Sequence, residues 1–306
     1  MKSTYFAIIQ LPWLGSREQM IAAYRRLIPD AAKQGATLIG LQEFSLSPYL
    51  AGTRNPDNFK WAEARHGGQT DLLIGSLAKE HNVTIISSIF ERRAGVAISS
   101  TNPNDYLDTA LIHTPDGVLA YATEKMHIPS GDGYHETDYF VGGNYQQVRY
   151  PVHALDKVTV STPTCYDQWF PEVARMAALH GAELLFYPTA IGSEPSTPEF
   201  DSKDAWQTVM RGHAVANGVF VAAANRIGNE NGVTFYGSSF IADPGGNVLV
   251  EAPRDEEAVI VAVLEQPTFN QWRHLFPLLR QRRPDAYGSL TDAVRDPLDD
   301  GHWENP

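Results

Sequence analysis

Two distant stretches of this chain repeat one another in outline. Ala32-Lys33-Gln34-Gly35-Ala36-Thr37-Leu38-Ile39 is echoed by Leu179-His180-Gly181-Ala182-Glu183-Leu184-Leu185. Each reads as the end of a helix, a Gly-Ala turn and the start of a buried strand. Glycine suits such a turn because a helix commonly stops on a left-handed residue. A helix that feeds straight into an apolar strand covers one face of a sheet, which makes the chain α/β. Nothing recurs a third time, so the echo predicts two similar layered halves facing each other rather than a solenoid. No break in composition marks a linker. One domain is therefore expected over residues 1–291, and the acidic run from 292 to 306 reads as a solvated tail.

Periodicity fills in the elements. Tyr5 to Gln10 is a short apolar strand, and Ser16 with Gln19 forms a capping box for a helix bearing Ile21, Tyr24, Leu27 and Ile28 on one face. A strand over Thr37 to Gln42 ends at Glu43. A loop rich in Asn and Pro (52–58), a helix from about Gln69 to His81 and a strand over Val83 to Phe90 follow. Leu107–His113 and Val118–Thr123 flank Pro115-Asp116-Gly117 as a hairpin. Beyond Cys165 come a helix, a strand over Leu184 to Tyr187, a helix over Ser202 to Asn217, a strand over Val219 to Ala224 and a second hairpin turning at Asp243-Pro244-Gly245-Gly246.

The charge balance is 24 Lys+Arg against 36 Asp+Glu, a formal net charge of −12. Such a surface repels polyanions, so nucleic acid is excluded as the expected partner. No window approaches 18 uninterrupted apolar residues and no leader is evident, so no membrane span is expected. The single cysteine fits a reducing, cytoplasmic setting. No Cys/His spacing suggests a metal site and no glycine-rich loop suggests a phosphate cradle, so no cofactor is expected.

Three residues at strand ends carry chemistry. Cys165 lies in Thr164-Cys165-Tyr166-Asp167-Gln168-Trp169-Phe170-Pro171-Glu172, which reads as a sharp strand-to-helix corner with Pro171 opening the helix. A thiol there faces backbone N–H groups and the positive end of a helix dipole, both of which favour the thiolate. Glu43 follows a buried apolar strand, where a carboxylate is costly without partners. Lys125 ends the strand Val118–Thr123. Together they make a coherent set. The carboxylate takes the thiol proton and later activates water, while the ammonium holds the thiolate and the oxyanion formed on an attacked carbonyl or nitrile carbon.

These segments resemble the nitrilase superfamily of carbon–nitrogen hydrolases, and the branch of N-carbamoylputrescine amidases and β-ureidopropionase-like N-carbamoyl amidohydrolases in particular. The matching motifs are Lys125-Met126-His127-Ile128-Pro129 with Gly133-Tyr134-His135-Glu136, the Cys165 segment, Tyr187-Pro188-Thr189-Ala190-Ile191-Gly192-Ser193-Glu194-Pro195, Asn225-Arg226-Ile227-Gly228 and Arg283-Pro284-Asp285-Ala286-Tyr287-Gly288. The resemblance implies a four-layer α-β-β-α sandwich and a homo-oligomer. It makes Glu43 the general base, Lys125 the oxyanion stabiliser, Cys165 the nucleophile and Glu136 a second carboxylate that steadies Lys125 and the substrate. The Tyr166 backbone N–H becomes an oxyanion donor. Glu194 resembles the acid that meets the far amine of a carbamoylputrescine-type substrate. Trp169, Tyr49 and Asn225 join it as substrate-binding residues, and Phe44 is a further candidate for the pocket wall.

Two departures stand out. Pro163 falls in the strand expected over Val158–Thr164, where a residue without a backbone donor forces a bulge or sits where no ladder bond is needed. Asp108 stands where the family commonly has asparagine, so an added negative charge either disturbs the neighbouring strand or is neutralised locally. Rival readings are an amidase or β-ureidopropionase with a carboxylate-tailed substrate, for which Arg226 or Arg175 would be the distal cation. Less favoured are a catalytically silent binding or assembly relative, and a cysteine peptidase using His127, His135 or His213.

Overall fold

A computed structural model describes residues 1–143, 150–197 and 199–292. The expected acidic tail lies outside these residues apart from Asp292. In chain order the first half runs β1 (Thr4–Gln10), α1 (Arg17–Lys33), β2 (Leu38–Leu41), α2 (Gln69–His81), β3 (Thr84–Arg92), β4 (Tyr106–His113), β5 (Leu119–Glu124), and the short pair β6 (Ser130–Gly131) and β7 (Tyr134–His135). The second half runs β8 (His153–Ala154), β9 (Thr159–Ser161), α3 (Pro171–Leu179), β10 (Leu184–Pro188), α4 (Lys203–Asn217), β11 (Phe220–Ala224), β12 (Ile227–Glu230), β13 (Val233–Tyr236), β14 (Phe240–Ala242), β15 (Val248–Glu251), β16 (Ala258–Leu264) and α5 (Gln266–Leu275).

The Gly-Ala echo is a real structural repeat. Gly35 and Gly181 both adopt positive φ, +92° and +101°. In both halves the following alanine N–H reaches back into the helix, from Ala36 to Ala31 O and from Ala182 to Ala177 O. Each turn thereby satisfies helix-end carbonyls and aims the chain into a parallel strand, β2 beside β1 and β10 beside β9.

Two six-stranded sheets result, with orders β16-β1-β2-β3-β4-β5 and β15-β14-β11-β10-β9-β8. Strand alternation sends Phe6, Ile8, Leu38 and Ile86 inward against Val160, Leu184, Phe186 and Phe220 of the other sheet. The opposite face of the first sheet, with Ala7, Ile9, Ile39 and Ile85, is covered by α1 and α2 through Tyr24, Leu27, Ile28 and Ile74. The outer face of the second sheet, with Leu185, Tyr187 and Val221, is covered by α3 and α4 through Ala174, Ala177, Trp206 and Met210. The layers are therefore α-β-β-α. Ser16 caps α1 by accepting the Gln19 N–H. Ile21 is half-buried at the margin of the α1 face, whose buried core is Met20, Ala23, Tyr24, Leu27, Ile28 and Ala31.

Some elements differ from the reading of the sequence. The strand before the cysteine stops at Ser161, whose ladder partner is Leu185. Pro163 lies beyond the ladder, where its missing N–H removes no sheet bond, and its peptide bond is trans. β16 has no turn signal of its own, but it pairs with β1 over seven residues, Thr4↔Leu264 to Gln10↔Ala258, and so closes one edge of the first sheet. The hairpins at 115–117 and 243–246 form as expected, with Gly117 and Gly246 at positive φ.

Gly40 marks the tightest approach of the two sheets. A Cβ built there would lie 2.3 Å from Phe186 Cζ, and the Phe186 ring is itself clamped edge-on against Phe6. A buried ring has little room to retreat, and overpacking typically costs about 1–3 kcal/mol. Gly40→Ala is therefore expected to lower stability by about 2 kcal/mol, and Phe186→Leu in the same chain should recover much of it. Urea unfolding of the single and double variants checks this. Equal midpoints for wild type and Gly40→Ala would contradict the close approach.

Candidate active site

Four segments bring buried polar groups to one end of the paired sheets. Glu43 follows β2, Lys125 follows β5, Glu136 opens a single helical turn after β7, and Cys165 follows β9. All four are 5 % exposed or less. Lys125 Nζ donates to Glu43 Oε1 at 2.9 Å and to Glu136 Oε2 at 2.5 Å, and lies 3.6 Å from Asp108 Oδ2. One ammonium thus faces three carboxyl groups. Burial alone would lower the pKa of Lys125, but the charges of Glu136 and Glu43 reverse that and hold it well above the usual lysine value. The Glu136 carboxyl is pushed up to about 7, chiefly by burial, against the pull of Lys125. Tyr49 Oη donates to its other oxygen at 2.9 Å.

Cys165 opens a 3-10 turn, Cys165–Trp169, and Pro171 starts α3 only afterwards. Its φ is +45°, a left-handed backbone that a non-glycine residue adopts only when its surroundings enforce it. The enforcing group is Asp167. One carboxylate oxygen accepts from Thr164 N–H at 3.2 Å and the other from His127 N–H at 3.0 Å, so the cysteine turn is tied to the segment that carries Lys125. The expectation of a favoured thiolate is corrected here. Burial and then the charge of Glu43 push the Cys165 thiol well above its usual value, and Lys125 only partly opposes them. The thiol instead donates to Ala190 O at 3.8 Å. The Tyr166 N–H sits in the first turn, where no intrahelical acceptor exists.

A cavity of about 620 Å³ opens onto this cluster. Cys165, Glu136, Tyr134, Trp169, Ile191 and Glu194 line it, with the exposed Tyr166, Asp132 and Ser196. Glu194 is half-buried, and burial raises its carboxyl above the usual range. Among the described residues it has no ion-pair partner.

Several residues fall elsewhere than the sequence suggested. Tyr49 and Phe44 are fully buried behind the cluster in an aromatic nest with Phe90 and Phe140, and do not line the cavity. Asn225 is also fully buried. It accepts from Ile191 N–H and donates to Ile191 O and Gly237 O, so it braces the loop that forms one wall. Arg226 is no distal cation. Its guanidinium pairs with Glu230 at 2.8 Å and donates to the backbone oxygens of Glu43, Phe44 and Ser47, each at 3.0 Å. It fastens the loop after β2, in which Phe44 also has a positive φ. Arg175 lies on α3 outside the cavity wall. His127 is held by Asp167 at 2.7 Å and stacked on Phe170, and His213 is bonded to Gln168 O. Arg226 and Asp167 are the positioning residues that reading the sequence missed. The available signal was a charged residue next to a reactive position inside an otherwise apolar context.

Comparison with known proteins agrees with this arrangement. A family model described as carbon-nitrogen hydrolase matches residues 6–274. The chain is 40 % identical over 278 residues to N-carbamoylputrescine amidase of Arabidopsis thaliana, covering 88 % of this chain and 89 % of that protein. It is 36 % identical over 294 residues to citrullinase of Francisella tularensis, covering 95 % and 99 %. A solved carbon-nitrogen hydrolase from Helicobacter pylori G27 superposes with a TM-score of 0.85 at 33 % identity, covering 94 % of this chain and 98 % of that one. From its sequence, its fold and its buried cluster alike, this chain belongs to the carbon–nitrogen hydrolase family.

Proposed function

We propose that the chain hydrolyses an N-carbamoyl amine whose far end is cationic, of the N-carbamoylputrescine type. The carrying observation is one cavity lined both by the buried Cys165 and Glu136 and by two acids, Glu194 and Asp132, that have no ion-pair partner among the described residues. No Lys, Arg or His is among the described residues that line it. A half-buried carboxylate without a partner gains most from an ammonium group. The carboxylate-tailed alternative would need a cation there, and both candidate arginines stand outside the wall.

The chemistry follows from the geometry. Glu43 takes the thiol proton as sulfur attacks the carbamoyl carbon. Lys125 and the Tyr166 N–H meet the oxyanion. Glu43 returns the proton to the departing –NH2, ammonia leaves, and an S-carbamoyl enzyme remains. Glu43 then takes a proton from water, whose oxygen attacks the same carbon, and passes it to the sulfur. The released carbamic acid breaks down to the amine and carbon dioxide. Glu136 keeps Lys125 in place throughout and faces the cavity beside the substrate. This uses no metal or cofactor.

The reading extends to assembly and setting. Exposed Leu179, Val215, Leu275 and Phe276 lie on or next to the outer helices, where Trp272 of α5 bonds to Val215 O. That apolar face supports a homo-oligomer, for which size-exclusion chromatography should show more than one chain per particle. The lone cysteine supports a cytoplasmic location.

Ammonia release from N-carbamoylputrescine, citrulline, N-carbamoyl-β-alanine, a simple aliphatic amide and a nitrile tests the reaction. Turnover is expected for N-carbamoylputrescine, with none in Cys165→Ala and a loss of about 10²–10⁴-fold in kcat for Glu43→Gln. An active, folded Glu43→Gln enzyme would overturn the assignment of the base. Glu194→Gln separates the distal end from the chemistry. Its kcat/KM for the ammonium-tailed substrate should fall about 10–100-fold, the worth of one hydrogen bond to a charged group. A neutral analogue of similar length should be unaffected.

A further inference from the structure

Three carboxyl groups converge on a single ammonium in a buried cluster beside the cavity. Asp108 on β4 is 1 % exposed and Glu43 and Glu136 are fully buried, so ionising all three beside Lys125 would leave a costly net charge of −2 in the cluster. The hydrogen bonds show where this excess concentrates. Asp108 Oδ1 accepts from Ser88 Oγ at 3.1 Å and Glu43 Oε1 accepts from Lys125. Asp108 Oδ2 and Glu43 Oε2 are both buried and have no donor among the described residues. Both side chains face the same ammonium, Glu43 at 2.9 Å and Asp108 at 3.6 Å, so the two oxygens without donors belong to neighbouring groups. Two carboxylates have only acceptors to offer. A hydrogen bond between them forms only when one of them carries a proton.

We infer that Asp108 holds that proton and donates it to Glu43, acting as a neutral positioning residue for the proposed base. This rests on the reading of Glu43 given above. The assignment to Asp108 follows from its surroundings. Glu43 receives a full ammonium at 2.9 Å, whereas Asp108 receives one hydroxyl and stands 3.6 Å from the same ammonium. The groups facing Asp108 from the packed elements are Glu43, Lys125, Glu136 and the Ser88 hydroxyl, and negative charge outweighs positive among them. Burial first, and then the charge of Glu43, raise the Asp108 carboxyl well above its usual range. Ser88 Oγ also accepts from Phe44 N–H at 3.1 Å, so the same chain of bonds fixes the backbone that follows Glu43. Of the two outcomes open for Asp108, this is local neutralisation. The carboxylic acid turns Glu43 so that one oxygen meets Lys125 and the other is capped.

The sign of the pH dependence is fixed. A carboxyl with a raised folded pKa keeps its proton in the folded chain and loses it in the unfolded one, so stability falls as pH rises from the unfolded value toward the folded one. The experiment is the slope of unfolding free energy against pH between about pH 5 and 8 for wild type, Asp108→Asn and Asp108→Leu, with kcat and KM measured over the same range. Asp108→Asn should take up about one proton fewer on folding. Its amide still donates to Glu43, so kcat should stay within about threefold of wild type, a difference smaller than one net hydrogen bond. Any alkaline loss of activity due to ionisation of Asp108 should disappear. Asp108→Leu lacks a donor, and its kcat should fall at least about 10-fold with KM little changed. An unchanged proton count in Asp108→Asn would overturn the location of the proton whatever Glu43 does. A one-proton change with full kcat in Asp108→Leu would overturn the positioning role. Loss of kcat in Glu43→Gln, measured in parallel, checks separately the reading on which the inference rests.

Discussion

Everything at this site depends on a lysine ammonium kept out of water. Lys125 is 1 % exposed, and such a charge survives only with acids in direct contact. Glu43 and Glu136 supply that contact, and each is in turn committed to the lysine. Removing one partner of a buried pair costs about 3–5 kcal/mol because the other charge is left stranded. The cluster is therefore a unit that constrains the chain around it. β2, β5 and the turn after β7 must all end within reach of one nitrogen atom.

That demand explains braces that have no chemistry of their own. The loop after β2 leaves the sheet with Phe44 at positive φ, and Arg226 binds three of its carbonyls while Glu230 neutralises the guanidinium. Glu230 also accepts the Tyr49 N–H, and Tyr49 Oη reaches Glu136, so the brace returns to the cluster. On the other side Asp167 bonds the cysteine turn to the residues just after Lys125. The strained backbones at Cys165 and Phe44 are tied by these buried polar contacts, and Phe44 is also packed in the aromatic nest. Such residues transmit position and not protons.

The layers were legible in the sequence because they depend on local signals. The Gly35 and Gly181 turns, the Ser16 cap and the alternation in β1 each declare themselves within a few residues. Glu43, Lys125 and Cys165 were legible for a related reason: each is a reactive group at the end of an apolar run, where burial is costly without a purpose. The rest depends on distant partners. β16 is a strand because β1 offers it an edge, and nothing within Ala258–Leu264 says so alone. Arg226 and Asn225 sit together in sequence beside a strand, which suggests a pocket. Whether such a side chain turns to the cavity or to a loop carbonyl is settled by where Ile191 and Ser47 come to rest. The thiolate expectation failed because a helix N-terminus was counted and the burial of two carboxylates beside the sulfur was not.

The same accounting separates the two ends of the cavity. At the floor, negative charge is in excess: Lys125 bonds Glu43 and Glu136, and burial with the charge of Glu43 pushes the thiol above its usual value. A cationic group arriving there would have no free acceptor and would lose its hydration. At the wall, Glu194 is half-buried and unpaired among the described residues, and burial has already raised its carboxyl. An ammonium placed beside it lowers the free energy of both charges. A carbamoyl group has no charge and fits the floor, whereas its amine tail has one and fits the wall. A substrate with these two ends enters in one orientation only. On the proposed reading, orientation of this kind, set by unequal electrostatics over one cavity, would put the carbamoyl carbon against Cys165 without any contact specific to the rest of the molecule.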